Sequence, residues 1–298
     1  MNMPVVVGVD GSPSSLEAVA VAAREARLRG RGLKVVHAFL WPIVHVPLGP
    51  WPMGQAVDAL REEAGRLVTE AAEHARSVAP DLEIRCAVLA GGPLPVLEAE
   101  SHGAALVVVG SRGTGGFMGL LLGSTAVQLA GHAHCPVLVV RDRPALAGPV
   151  LLGVDGSPAG EPAVDFAFAE AALRKTGIVA LHAWTPWSVP VTPPPGPSAP
   201  HQPDPAALAD RERRLLAEVL AGRQEQYPQV PVDHVLVKGD AREALIEASG
   251  RAGLLVLGAR GHGGFAGLLL GSVSQAVLHH ASCPVTVARH FGDRRDGV

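Results

Sequence analysis

The sequence predicts an α/β protein built as two tandem doubly wound domains, each a five-stranded parallel sheet with helices on both faces. Three observations lead there. The chain has 298 residues, which suits two domains at roughly 100–200 residues each. Short motifs in the first half return in the second at a nearly constant offset. Within each half, β-branched apolar runs alternate with stretches whose apolar residues fall at helical spacing. Strands that are apolar throughout and separated by helices belong to parallel sheets covered on both sides.

The repeat is explicit. Val7-Gly8-Val9-Asp10-Gly11-Ser12-Pro13 is answered by Leu152-Gly153-Val154-Asp155-Gly156-Ser157-Pro158, and Gly110-Ser111-Arg112-Gly113 by Gly258-Ala259-Arg260-Gly261. The offset grows from 145 residues at Asp10 and Asp155 to 148 at Gly110 and Gly258. The Pro-rich stretch Pro186–Pro205, facing the shorter Trp41–Gly54, takes up the difference. Proline fixes φ and removes an amide donor, so both stretches read as surface connections, with a lid over the site as the alternative. The domains are therefore 1–143 and 149–290, joined near Arg143–Pro149.

In the first copy a buried strand is expected over Pro4–Val9, then a helix over Pro13–Gly30 with Ser12 as N-cap and Pro13 in its first turn. There follow a strand at Leu33–Phe39, a helix around Ala56–Val78, a strand at Leu82–Val88 and a helix at Pro93–Ser101. The copy closes with a strand at Ala105–Val109, a helix from about Gly123 and a strand at Val137–Arg141. In the second copy the strands are Val150–Val154, Ile178–Trp184, Val232–Val237, Gly253–Leu257 and Val285–Arg289.

Ligands of doubly wound sheets sit beyond the carboxyl ends of the strands. Two segments of each copy reach that edge: the turn carrying Asp10 or Asp155, and the loop that runs from Gly110 to Gly113 and, nine residues later, to Gly123-Ser124. In the second copy this loop is Gly258–Gly261, then Gly271-Ser272. Glycines let the backbone approach a ligand closely, and inward amides followed by a helix start make an anion site. Ser124 and Ser272 stand where that helix begins, placed either to cap it or to donate to a phosphate. Asp10 and Asp155 could accept from a ribose or adenine, and could also help cap the next helix. Arg112 and Arg260 are within the loop, as phosphate partners or as solvated cations.

Other chemistries are excluded or unsupported. Net charge is −3, with Lys plus Arg not exceeding Asp plus Glu, which argues against a nucleic-acid backbone as partner. No run of about 18 apolar residues suits a membrane span, and no signal peptide is visible. The three cysteines are odd in number and lack a C-x-x-C spacing, which fits a reducing cytoplasm. The clusters His132-Ala133-His134-Cys135 and His279-His280-Ala281-Ser282-Cys283 show half a ligand set each, and read as helix ends rather than metal sites. Phe117 and Phe265, each followed by leucines, anchor the loop to the core or form a docking surface. No P-loop motif occurs. Gly261-x-Gly263-x-x-Ala266 lacks the acidic partner about 20 residues on that a dinucleotide fold needs.

Gly-x2-Gly-x9-Gly-Ser, present twice and joined to Val-Gly-Val-Asp-Gly-Ser, resembles the universal stress protein family in its tandem, ATP-binding form. The resemblance spans nearly the whole chain. It implies an adenine nucleotide alpha hydrolase-like domain that binds ATP, AMP or ADP and acts as a regulator in stress adaptation; the sequence leaves open whether Mg²⁺ accompanies the ligand, though a polyphosphate usually brings one. By position it implies that Gly8, Asp10 and Ala38 surround the adenosine, and that Gly110 to Gly116 (including Gly115), Gly123, Ser124 and Thr125 hold ribose and phosphates. The second set is Gly153, Asp155, Ala183, Gly258 to Gly264 (including Gly263), Gly271, Ser272, Val273 and Ser274. Val273 stands where the first copy has Thr125, so the second site is expected to bind no more tightly than the first. The resemblance also implies pairing through Val137–Arg141 and Val285–Arg289, a homodimer as a possible assembly, and a regulatory protein partner that the sequence does not identify. A slow ATPase and a nucleotide-free scaffold are the alternative functions; the loop offers no second carboxylate or Lys for efficient hydrolysis.

Overall fold

The computed structural model describes residues 3–40, 53–113, 122–141, 146–185, 204–261 and 269–289, with the side chains of 53–58 left aside. The chain divides into two compact units at Pro144/Ala145.

In the first unit the elements are β1 (Val5–Gly8), α1 (Pro13–Leu28), β2 (Leu33–Phe39), α2 (Met53–Val78), β3 (Ile84–Ala90), α3 (Pro93–Ser101), β4 (Leu106–Gly110), α4 (Ser124–His132) and β5 (Val137–Val140). The second unit repeats them as β6 (Val150–Gly153), α5 (Glu161–Arg174), β7 (Ile178–Trp184), α6 (Pro205–Gln226), β8 (Val232–Lys238), α7 (Ala241–Ser249), β9 (Leu254–Gly258), α8 (Ser272–His280) and β10 (Val285–Ala288). The strands run in the order β3-β2-β1-β4-β5 in one unit and β8-β7-β6-β9-β10 in the other, all parallel within each unit. Helices α1 and α2 pack together on one face, α3 and α4 on the other, and α5/α6 and α7/α8 repeat the arrangement. The doubly wound α/β architecture is thus the one the sequence predicts.

The central strands are sealed on both sides: Val5, Val7, Leu106, Val107, Val108, Leu152, Leu255 and Val256 are wholly buried. The edges differ from expectation. β3 and β8 mix half-buried and exposed residues and hold no fully buried one, because an edge strand of an open sheet is only partly covered by its helix. β3 also lies at Ile84–Ala90 rather than the expected Leu82–Val88, and every residue of it pairs with β2 from Leu33 to Phe39. Leu82 instead closes a turn onto the Ala79 carbonyl at 3.2 Å.

Helix starts differ between the copies. Ser12 caps α1 as expected, its Oγ accepting from the Ser15 amide at 3.1 Å. In the second copy the Ser157 hydroxyl donates to Asp155 Oδ1 at 2.7 Å. A 3-10 turn at Pro158–Gly160 then intervenes, and α5 begins only at Glu161. The two long connections lie mostly outside the described residues, but Met53 and Gly54 already belong to α2, and Asp204 caps α6 at Pro205.

Candidate functional site

The functional edge follows from strand order. β1 lies between β2 and β4, and β6 between β7 and β9, so the connections leave in opposite directions and open a crevice at the carboxyl ends of β1/β4 and β6/β9. Gly8 and Gly110 end the strands of the first crevice, and Gly153 and Gly258 those of the second. At Gly8 and Gly153 a leucine side chain crowds the space a Cβ would take. A Cβ on Gly8 would come within 2.9 Å of Leu97 Cδ1, and one on Gly153 would strike Leu257.

The turn after the first strand is built around its aspartate. Asp10 Oδ1 accepts from the Ser12 amide at 3.0 Å, and Asp155 Oδ1 from the Ser157 amide at 2.9 Å. Between them Gly11 and Gly156 adopt φ of +82° and +77°, a region L side chains avoid. The aspartates therefore shape an Asx turn, and Asp10 supports the start of α1 by holding the amide of its N-cap, Ser12. The second carboxylate oxygen faces the other loop: a Cβ on Gly113 would sit 2.5 Å from Asp10 Oδ2, and one on Gly261 would overlap Asp155 Oδ2. Two segments about 100 residues apart in sequence are thus in direct contact through a residue with no side chain.

The glycine loop folds back on its own start. The Gly123 amide donates to the Ser111 carbonyl at 2.7 Å, and the Gly271 amide to the Ala259 carbonyl at 2.8 Å. In the first copy, Ser12 Oγ donates to the Arg112 carbonyl at 3.2 Å and the Arg112 amide to Ser14 Oγ at 3.3 Å, tying the loop to α1. Gly110 lies so close to α1 that a Cβ would be 2.7 Å from Ser14. Helices α4 and α8 start at Ser124 and Ser272, with Gly123 and Gly271 as N-caps that supply no side-chain acceptor. Ser124 and Ser272 are exposed first-turn residues, so the capping role considered for them is not the one they have. The first-turn amides of both helices are left without a side-chain cap at the mouth of the crevice, the arrangement that favours an anion.

In the second copy the crevice is a cavity of about 490 Å³, lined by Gly153, Asp155, Ala183, Gly258, Arg260, Gly261, Gly271, Ser272, Val273 and Ser274 among the residues singled out from sequence. Its size is that of a small-molecule pocket. Ser274 is buried and its hydroxyl donates to the Gly258 carbonyl at 2.8 Å, so its proton is already used within the protein. Sequence reasoning missed Val154, Gly160, Leu181, Ala241, Leu245, Leu257 and Leu270, which also line it. Ala241 and Leu245 could have been found, since they stand one helical turn apart at the start of α7, directly after the Gly239-Asp240 turn. In the first copy Ala38 is half-buried near the end of β2, Thr125 is half-buried in α4, and Arg112 is exposed. Gly115, Gly116, Gly263 and Gly264, with Phe117 and Phe265, lie outside the described residues.

A family model described as the universal stress protein family matches residues 1–141 and again 147–289. The chain belongs to the universal stress protein family. It is 38% identical over 300 residues to universal stress protein Rv2623 of Mycobacterium tuberculosis, covering 97% of each chain. It is 40% identical over 294 residues to universal stress protein Rv2005c of the same species, covering 96% of each. Among solved structures, a universal stress protein from Archaeoglobus fulgidus superposes with a TM-score of 0.71 at 18% identity, over 98% of this chain and 100% of that one, which places this universal stress protein in the same fold.

His132 Nδ1 lies 2.7 Å from the Gln128 carbonyl in the last turn of α4, and no group of three or more potential metal ligands occurs among the described residues. No helix among them is long and apolar enough to cross a membrane.

None of the three cysteines is in a disulfide. Cys135 and Cys283 are buried at matching places before β5 and β10, and burial pushes the Cys135 thiol up to about 12. Cys86 is exposed on β3; partial burial also raises its thiol, with Arg76 pulling the other way. A thiolate is the reacting form. The folded protein is therefore expected to react with a chromogenic disulfide reagent at Cys86 alone, and at all three only in denaturant. A second fast thiol in the native protein would contradict this assignment.

Proposed function

We propose that this universal stress protein binds an adenine nucleotide, ATP or its AMP and ADP relatives, in each copy, and acts as a nucleotide-dependent regulator. The observation that carries this is the second-copy cavity, where an aspartate, a glycine loop and an uncapped helix start converge. Phosphates would lie on the amides of 258–261 and at the start of α8, with the Arg260 guanidinium beside them. Asp155 would receive a ribose hydroxyl or the adenine amine, and Ala183, Ala241 and Leu245 would flank the base. The first copy repeats the design with Asp10, Gly110, Gly113, Gly123 and Ser124, together with Gly8, Ala38, Arg112 and Thr125. A polyphosphate brings Mg²⁺ with it in this reading, and the protein works in the cytoplasm, where its thiols stay reduced.

In a regulator the bound state alters the surface around the glycine loops, and a protein partner reads it. Mass spectrometry of protein purified from its own cells and then denatured is expected to release adenine nucleotide, at up to two molecules per chain. Titration of the stripped protein is expected to restore binding. If neither experiment detects a purine mono-, di- or triphosphate, the proposal fails. Rapid multiple turnover of ATP would make the protein an enzyme instead.

A further inference from the structure

The start of the glycine loop is fastened differently in the two copies. In the first, both main-chain groups of Arg112 are held by hydroxyls from the start of α1. Ser12 Oγ donates to the Arg112 carbonyl at 3.2 Å, and the Arg112 amide donates to Ser14 Oγ at 3.3 Å. The two serines are 7% and 4% exposed, so water competes little for these bonds. Ser12 is itself held in place, since its Oγ accepts from the Ser15 amide and its carbonyl from the Ser15 hydroxyl at 2.8 Å. The Arg112 peptide is thus clasped from two sides by residues 100 and 98 positions away in sequence.

The second copy cannot form this clasp. The offset that relates Asp10 to Asp155 sets Ser157 at the place of Ser12 and Ala159 at that of Ser14. A carboxylate only accepts, so the single hydroxyl proton of Ser157 is committed to Asp155 Oδ1, 2.7 Å away, and none remains for the Arg260 carbonyl. Ala159 has no hydroxyl and is exposed, and no Ser or Thr occurs from Pro158 to Val164. Among the described residues, neither the amide nor the carbonyl of Arg260 has a hydrogen-bond partner. The second loop is braced from the other side instead. Ser274 Oγ donates to the Gly258 carbonyl and the Gly271 amide to the Ala259 carbonyl, both at 2.8 Å. These bonds hold the strand end and the residue after it, and stop short of Arg260.

We propose that Ser12 and Ser14 are positioning residues that preform the first nucleotide site, whereas the second orders its loop around its ligand, so that the two sites fill in turn as nucleotide rises. This rests on the nucleotide reading above and deepens it: the first site is occupied at low nucleotide, and the second carries the response to concentration. The physical basis is population. A loop already in its binding arrangement is competent at once, while one that must first be ordered has its apparent affinity reduced by the fraction of time it is competent. Two hydrogen bonds to Arg112 are expected to separate the sites by at least about tenfold in Kd.

The test uses the full chain stripped of nucleotide, with Gly261→Ala to leave the first site reporting and Gly113→Ala to leave the second. Titration with ATP·Mg²⁺ should give the first site the lower Kd by at least about tenfold. Ser14→Ala gives the first copy the residue that the second has at that place. It should weaken the first site about fivefold and leave the second unchanged. Thr125, where the second copy has Val273, is present with and without the substitution, so the comparison isolates the clasp. Backbone relaxation measured by NMR, on the nanosecond and millisecond scales, separates preforming from general stability. Without ligand, residues 111–113 should be more ordered than 259–261, and saturating ATP should bring the second set up to the first. Ser14→Ala should loosen 111–113 in the ligand-free state while β1 and β4 stay as they were. Equal affinities at the two sites, a first site that Ser14→Ala leaves unchanged, or ligand-free loops of equal order would each overturn the inference. If ATP binds at neither site, the nucleotide reading fails, while the ligand-free relaxation still decides whether the clasp orders the loop.

Discussion

Replacing Gly261 with alanine is expected to lower the ATP affinity of the second site about a hundredfold, which corresponds to roughly 2.7 kcal/mol. The reason is steric and local. A Cβ at this position overlaps Asp155 Oδ2, and the other oxygen of that carboxylate is held by the amide and hydroxyl of Ser157. The carboxylate cannot swing aside without opening the turn, so the loop must lift and carry the amides of 258–261 away from the anion position. Gly113→Ala should do the same to the first site, where the Cβ would sit 2.5 Å from Asp10 Oδ2. Each variant should halve the stoichiometry in a calorimetric titration while leaving the far-ultraviolet circular dichroism unchanged. Full-affinity binding at two sites in either variant would show that the aspartate–glycine contact is not part of the nucleotide site.

The largest expected stability effect is at Phe168, which is wholly buried in α5 with its ring centroid 6.0 Å from that of Tyr227. The matching residue in α1 is Ala23, also wholly buried, so the second unit fills with an aromatic ring a place the first closes with a methyl group. Phe168→Ala leaves that space without an occupant, at a cost of about 3–5 kcal/mol. The measurement is hydrogen exchange resolved by peptide, in which amides of β6, β7 and β9 should lose protection by that amount while those of β1, β2 and β4 change little. A loss below about 1 kcal/mol would mean that the helix closes over the gap.

Much of the candidate site was legible in the sequence because its parts are backbone devices that demand particular residues. A left-handed turn at Gly11 or Gly156, a glycine pressed on a carboxylate, and a helix start capped only by glycine each leave a mark, and the repeat gave every mark twice. Less legible were the apolar walls. Leu181 and Leu257 line the second cavity, yet in sequence they are indistinguishable from core leucines such as Leu254 and Leu255. The serines were ambiguous for a similar reason. A hydroxyl near a helix start can cap, bind ligand or satisfy a neighbour; the place of Ser12 before Pro13 predicts its cap, whereas only the folded state shows that Ser274 donates to Gly258.

From the residues alone came the two copies, their family, the parallel sheets and the edge at which a ligand would enter, because periodicity and glycine spacing are local constraints on a chain. Strand order, the half-exposed edges β3 and β8, and the meeting of Asp155 with Gly261 were settled only by the folded state. So was the hold of Ser12 and Ser14 on Arg112, which lies 100 and 98 residues further along the chain. Contacts of that kind depend on which faces are brought together across the sheet, and no local pattern records them.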